Sequence, residues 1–297
     1  MPKCSPLWAL ALGALAGCGG GPQARTPLCG PTGTLRVGVM DPAEGRRSPQ
    51  GAGLSDGEIE ALRNLLEQAS RCTVELEPLA SAERARTKLA SRQWDAAFLP
   101  PGLTAFALGQ NLGYSPLRSL GSRQSSRAAL LVRSDSRFRR VADLNGARVG
   151  LLPRGSLGGF YLPLYNMHGL RLGPVSYGLD YASLLARLQS GELDAIAWDE
   201  SLPDPGPGIR RLQADSRAIP LGALVMGAPL TGADYLPFLR VLDGSAAQMP
   251  ASIGYAAAVL PEQQTLQPLK AIVAAVEGWS LPQEGQPHRV YGRKVIP

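Results

Sequence analysis

The residues best placed to do chemistry gather around one serine. Ser156 lies in the run Pro153-Arg154-Gly155-Ser156-Leu157-Gly158-Gly159, between an apolar strand pattern at 147–152 and an aromatic helical pattern at 157–168. A strand that opens through a glycine-rich turn into a helix leaves backbone N–H groups unpaired at the positive end of the helix dipole. With a hydroxyl beside them they make an anion site, although the same residues also suit a plain helix cap. Asp199 follows the apolar run LDAIAW, at the carboxyl end of a strand, where open α/β sheets place ligands. Asp41 closes the first strand pattern at a similar edge, and Pro101 and Gly102 present another helix start. Asp180 stands before a helix, as a ligand-facing acid or as its cap. Phe160, Tyr161 and Trp198 lie near these edges and read as core more than as ligand platforms. The pattern suits capture rather than turnover. No GxSxG, Walker or HExxH motif occurs, and His168 and His288 have no nearby nucleophile.

Such a turn needs a sheet to hold it. From residue 34 the strand pattern TLRVGV leads to Ser55-Asp56-Gly57-Glu58, a capping signature for a helix with Ile59, Leu62, Leu65, Leu66 and Ala69 on one face. CTVELEPL is a second strand, Ser81 caps a second helix, and WDAAFL is a third, buried strand. A second unit repeats the design: strand 147–152, helix 157–168, a short strand at 175–178, helix 181–189 and strand 193–198. Strands alternating with helices predict an α/β protein with largely parallel sheets. Strand patterns at 128–132 and 219–226 flank the second unit. The expected architecture is therefore two lobes, each a sheet flanked by helices, with two crossings between them. Residues 34–126 and 227–297, with helices at 232–242 and 261–279, form lobe one, and 127–226 form lobe two.

Composition narrows the class. The 297 residues are 44% apolar and 18% charged, enough for a sizeable core. The net charge of +6 comes from arginines spread along the chain without a run, which argues against a nucleic-acid partner. Lys3 precedes LWALALGALA, an apolar run too short to span a bilayer. The run ends in Leu15-Ala16-Gly17-Cys18, which resembles the lipobox of bacterial lipoproteins. Residues 1–18 then form a leader with Cys18 as the lipidated residue and membrane anchor, and 19–33 form a Gly/Pro tether. Either this reading or an ordinary secretory signal exports the chain. Cys29 and Cys72 remain, one just before the first strand and one opening the second. If those strands are parallel neighbours, the two cysteines lie within reach of a disulfide, as suits an exported chain. Two cysteines and two distant histidines do not make a metal site, and no cofactor is expected.

Over most of 34–199 the segments TLRVGV, WDAAFLPPGLTAFAL, ALLVRSDSRFRRVADLNGARVGL, GSLGGFYLP and DYASLLARLQSGELDAIAWD occur in an order that resembles the type 2 periplasmic solute-binding proteins of ABC transporters, specifically the phosphonate/phosphite-binding (PhnD-like) group. The resemblance implies a bilobed receptor of the type 2 periplasmic-binding fold, active as a monomer, that closes on a small solute in the ligand cleft between its lobes and hands it to a permease. Family members usually hold the phosphonate oxygens with a Ser-Thr-Ser-Gly-like turn, where this chain has Ser156-Leu157-Gly158-Gly159. They also often carry a His before an acid where Asp180-Tyr181 stands here. One hydroxyl survives, the backbone donors remain, and a cleft-facing acid would favour an amine or a hydroxyl-rich ligand over a dianion. A sensory receptor without a permease and an enzyme on the same fold are the alternatives.

Overall fold

The computed structural model describes residues 28–29, 32–41, 54–121, 126–227 and 235–293. Two mixed sheets organise them. The first is built from β1 (Thr34–Met40), β2 (Thr73–Leu79), β3 (Ala96–Leu99), β4 (Ser115–Leu120) and β10 (Gly222–Met226), in the order β2-β1-β3-β10-β4. The second is built from β5 (Ser126–Arg133), β6 (Val149–Leu151), β7 (Arg171–Tyr177), β8 (Ala195–Asp199), β9 (Ile209–Ile219) and β11 (Pro287–Arg289), in the order β11-β7-β6-β8-β5-β9. β1 runs parallel to β2 and β3, and β6 parallel to β7 and β8. An antiparallel strand closes each parallel set, β10 against β3 and β5 against β8.

The internal echo in the sequence has a structural basis. In the first sheet Asp95 accepts from the backbone N–H of Arg36 at 2.8 Å and pairs with its guanidinium at 3.0 Å. In the second sheet Asp194 does the same for Arg148, at 2.9 and 2.8 Å. Each aspartate thus ties the start of one strand to the chain entering its neighbour, the same solution twice.

The helices are α1 (Asp56–Ser70), α2 (Ala82–Ala90), α3 (Pro101–Gly109), α4 (Leu162–Asn166), α5 (Tyr181–Gln189), α6 (Leu236–Gly244) and α7 (Gln263–Glu277). α1 starts at the predicted capping box, Ser55 with Glu58, and buries Leu62, Leu65, Leu66 and Ala69. The predicted helix 157–168 splits into a π-helical turn, Leu157–Tyr161, followed by α4. One apolar cluster spans both sheets: Leu103 and Phe106 of α3, Phe160 and Tyr161 of the π turn, and Leu269, Ile272, Val273 and Val276 of α7 belong to it.

Two boundaries differ from the sequence reading. Leu28 and Cys29 are buried in the apolar cluster under α1, so the stretch 19–33 is not spacer throughout. β11 pairs with β7, so the C-terminal strand joins the second sheet and not the first. Among the described residues the strand order therefore passes from one sheet to the other at β4–β5, at β9–β10 and between α7 and β11. Cys29 and Cys72 are bridged, with Cα atoms 5.8 Å apart, because β1 and β2 are parallel neighbours whose first residues, Thr34 and Thr73, lie in register.

Asp243 at the end of α6 receives Arg118 of β4 at 2.7 Å, Tyr255 Oη at 2.8 Å and the Ala258 N–H at 3.1 Å. The hydrogen bond from Arg118 is the main cause that holds its carboxyl down at about 2, although burial opposes it. The unfolded value is about 3.9, so the folded state binds the proton less tightly. This stabilisation, roughly 2 kcal/mol, is fully present above pH of about 4 and is lost as pH falls through about 2. Urea titrations between those limits are expected to show a shallower acid slope for Asp243→Asn than for the parent. Parallel slopes would show that Asp243 does not drive it.

Candidate functional site

The serine turn is built by hydrogen bonds that its own sequence supplies. Ser156 Oγ accepts from the Gly159 N–H at 3.0 Å, and its carbonyl accepts from the N–H groups of Phe160 and Tyr161 at 3.2 and 3.1 Å. The last of these is the five-residue bond that makes the turn π-helical. The glycines here are set by packing. A Cβ on Gly158 would lie 2.8 Å from Ile219 Cδ1 and 3.2 Å from Tyr181 Oη, and one on Gly159 would lie 2.5 Å from Leu152 Cγ. The side chain of Leu157 is fully buried in the shared core. Ile219, Tyr181 and Leu152 thus occupy the space that side chains at 158 and 159 would need.

Gly155 brings the opposite wall into contact. It has φ of +123°, a region that only glycine adopts easily, and a Cβ there would sit 2.7 Å from Ala82 Cβ and 3.4 Å from Leu103 Cδ2. Ala82 opens α2 and Leu103 lies in the first turn of α3, so the serine turn of the second sheet abuts two helix starts of the first. Pro101 and Gly102, both buried, form the start of α3, whose Thr104 N–H bonds the Pro100 carbonyl at 2.9 Å. Asp41, half-buried, follows the end of β1.

Asp199 ends β8 and is 2% exposed. Its Oδ1 accepts from Ser126 Oγ, from the Ser201 N–H at 2.8 Å and from Ser201 Oγ at 2.6 Å. Its Oδ2 lies 3.9 Å from the Cβ position of Gly158. The structure therefore brings together Ser156, Gly158, Asp199 and Tyr181, and sets Pro101 and Gly102 across from them. Tyr181 was legible only as a helix start.

Asp180 immediately precedes Tyr181 and caps α5. Its Oδ1 accepts from the Ser183 N–H at 2.7 Å, and Ser183 Oγ donates to its carbonyl at 2.7 Å, which is the capping of α5 that its position allows. Asp180→Ala is expected to cost about 1 kcal/mol of stability. It should leave any solute-induced rise in melting temperature unchanged, and loss of that rise would return Asp180 to the ligand set.

A further group went unread in the sequence. Glu277 at the end of α7 receives Arg154 Nε at 3.0 Å and Tyr161 Oη at 2.6 Å, and it pairs with Arg86 of α2. Burial pushes the Glu277 carboxyl up, but hydrogen bonds from Arg154 and Tyr161 and the charge of Arg86 hold it below its usual value. Burial first, and then the charge of Glu277, raise the Tyr161 phenol well above its own. Among the described residues no group of three or more His, Cys, Asp or Glu side chains converges as a metal site. Cys18 lies outside the described residues.

The comparisons agree with this architecture. The XAC2383 protein of Xanthomonas citri, solved with chloride bound, superposes with a TM-score of 0.61 at 15% identity, over 81% of this chain and 97% of that one. A binding-protein component of an ABC phosphonate transporter from Pseudomonas aeruginosa gives 0.56 at 12%, over 80% and 85%. PhnD1 of Prochlorococcus marinus, solved with methylphosphonate, gives 0.53 at 14%, over 80% and 96%. These likenesses establish the two-lobed type 2 periplasmic-binding fold. No curated protein sequence matches the chain. Residues 56–205 match the family model described as "ABC transporter, phosphonate, periplasmic substrate-binding protein", just over half of the sequence. The chain belongs to that family, the periplasmic substrate-binding components of phosphonate-type ABC transporters.

Proposed function

We propose that the chain captures a small oxyanion at the Ser156 turn, by movement of its lobes, and delivers it to a permease while held to a membrane by lipid on Cys18. The observation that carries the reading is the seating of Gly155, at the head of the glycine-rich turn, against Ala82 at the start of α2 and Leu103 in the first turn of α3. Backbone N–H groups at helix starts favour negative charge whatever the side chains beside them. The site residues proposed are Ser156, Leu157, Gly158 and Gly159 with Pro101, Gly102, Asp41 and Asp199. Asp199 and Tyr181 beside Gly158 favour a ligand that pairs an oxyanion with a hydrogen-bond donor, such as an amine or a hydroxyl. A sensor without a permease would use the same site.

A melting-temperature screen of methylphosphonate, aminoalkylphosphonates, phosphite, sulfonates, amines, quaternary ammonium compounds and ATP tests the ligand class. A ligand at a hundred times its Kd adds about 2.7 kcal/mol of stability. Stabilisation by amines with none by oxyanions would overturn the oxyanion reading, and turnover of a solute would overturn the receptor reading. Incorporation of labelled fatty acid that vanishes in Cys18→Ser tests the anchor. Elution as a monomer tests the expected oligomeric state.

A further inference from the structure

The Glu277 cluster joins parts of the molecule that a freely hinging receptor would leave separate. Arg154 comes two residues before Ser156, and Tyr161 ends the π turn that Ser156 begins, so one carboxylate holds both ends of the serine turn. The same carboxylate pairs with Arg86, in α2, whose first residue Ala82 packs against Gly155. Arg86 is itself locked. Its side chain is 8% exposed, bonds Glu83 at 2.8 Å and lies over the Phe106 ring at 4.8 Å. Glu277 is equally buried, at 8% exposure, and is carried by a helix whose Leu269, Ile272, Val273 and Val276 lie in the core shared by both sheets. Just beyond it the chain crosses to the second sheet, where Trp279 stacks on Tyr165 at 6.1 Å and donates to the Arg293 carbonyl at 3.0 Å.

We infer that Glu277 is a positioning residue for solute capture. Its carboxylate clamps the Ser156 turn to α2, so the separation of the cleft walls is set by an ion-pair cluster within the chain and not by the solute alone. Packed interfaces are bistable and not continuously deformable, and a desolvated ion pair hydrogen-bonded on several sides is costly to break from one side. The inference uses the cleft of the proposed function but no particular solute.

Amide hydrogen exchange on the ligand-free full chain tests it. In Glu277→Gln, exchange is expected to speed up ten-fold or more in two places, residues 82–90 and 153–161, while β1 and β2 at the far edge of the first sheet keep their protection. Arg86→Met removes the link from Glu277 to α2, together with the Arg86–Glu83 pair, and should speed exchange over 82–90 while Arg154 and Tyr161 still hold the serine turn to Glu277. It also serves where Glu277→Gln fails to fold. Unchanged exchange in both segments would overturn the inference. So would a uniform loss of protection through both sheets, the mark of a residue that merely supports the fold. A failed solute screen would leave this result untouched, so the two readings stand or fall separately.

Discussion

Replacing both Cys29 and Cys72 with serine is expected to lower the stability of the folded chain by about 4 kcal/mol. The bridge closes a loop of 43 residues, and the entropy removed from the unfolded chain by a loop of that length accounts for the figure. The native side adds to it. Leu28 and Cys29 are 4% and 8% exposed and pack with Leu35, Leu66 and Cys72, contacts that a short segment ahead of β1 keeps only while it is pinned. Urea denaturation of the double variant should show the loss, and the melting temperature should fall by roughly 10 °C. Dithiothreitol on the unsubstituted chain should reproduce it. A loss under about 1 kcal/mol would mean that the unfolded chain keeps its ends together without the bridge. The double variant is the right one, because a single substitution leaves a free thiol that can pair between molecules. An oxidising compartment such as the periplasm is where such a bridge persists.

The disulfide was legible because two strand patterns joined by one helix each carry a cysteine at the start, and the pairing follows once they are parallel neighbours, as β1 and β2 are. The same holds for β3 and β8, whose apolar runs WDAAFL and LDAIAW are buried on both faces and leave no other reading. It holds again for α1, whose Ser55–Glu58 box fixes the start and whose apolar stripe fixes the buried face. β9 was missed for the opposite reason. Its sequence IRRLQADSRAI has no apolar run, and as an edge strand it satisfies its polar side chains laterally, Arg217 bonding Asp215 at 2.8 Å and Asn166 at 2.9 Å. β11 is three residues long and forms only because the chain has already crossed to reach β7.

The site divides along the same line. Ser156 and its glycines announced a turn, and Asp199 announced a strand end, since each follows from residue type and position. What fills the turn did not show. The sequence says that Gly158 lacks a hydroxyl, but not that Ile219 and Tyr181 occupy the space where a side chain would go. Glu277 was least legible of all. Its partners Arg86 and Arg154 lie 191 and 123 residues away, and no periodicity links residues at such separations.

Glu277→Ala is expected to cost roughly 3–5 kcal/mol, because removing one member of a buried ion cluster leaves the others desolvated and unpaired. Two arginines and a phenol are affected: Arg86 at 8% side-chain exposure, Arg154 at 30%, and Tyr161 with no measurable exposure. The loss measures the orphaned charges more than the worth of the cluster. The triple variant Glu277→Leu/Arg154→Leu/Arg86→Met removes the three charges that meet at Glu277, leaving the Tyr161 hydroxyl without that acceptor and the exposed Glu83 without Arg86, and should recover most of the stability. Urea midpoints of the single and triple variants at pH 7 decide this. If the triple variant is no better than Glu277→Ala, shape and not charge holds α7 in place. The pH dependence gives a second check. The Glu277 carboxyl lies below its ordinary value in the folded chain, so its stabilisation is present above about pH 4 and fades as pH falls further. The triple variant should lack that fading. A chain that keeps its walls together with its own ions would then draw little net stability from them, since an apolar cluster at the same place would hold the lobes nearly as well but could not be unlatched.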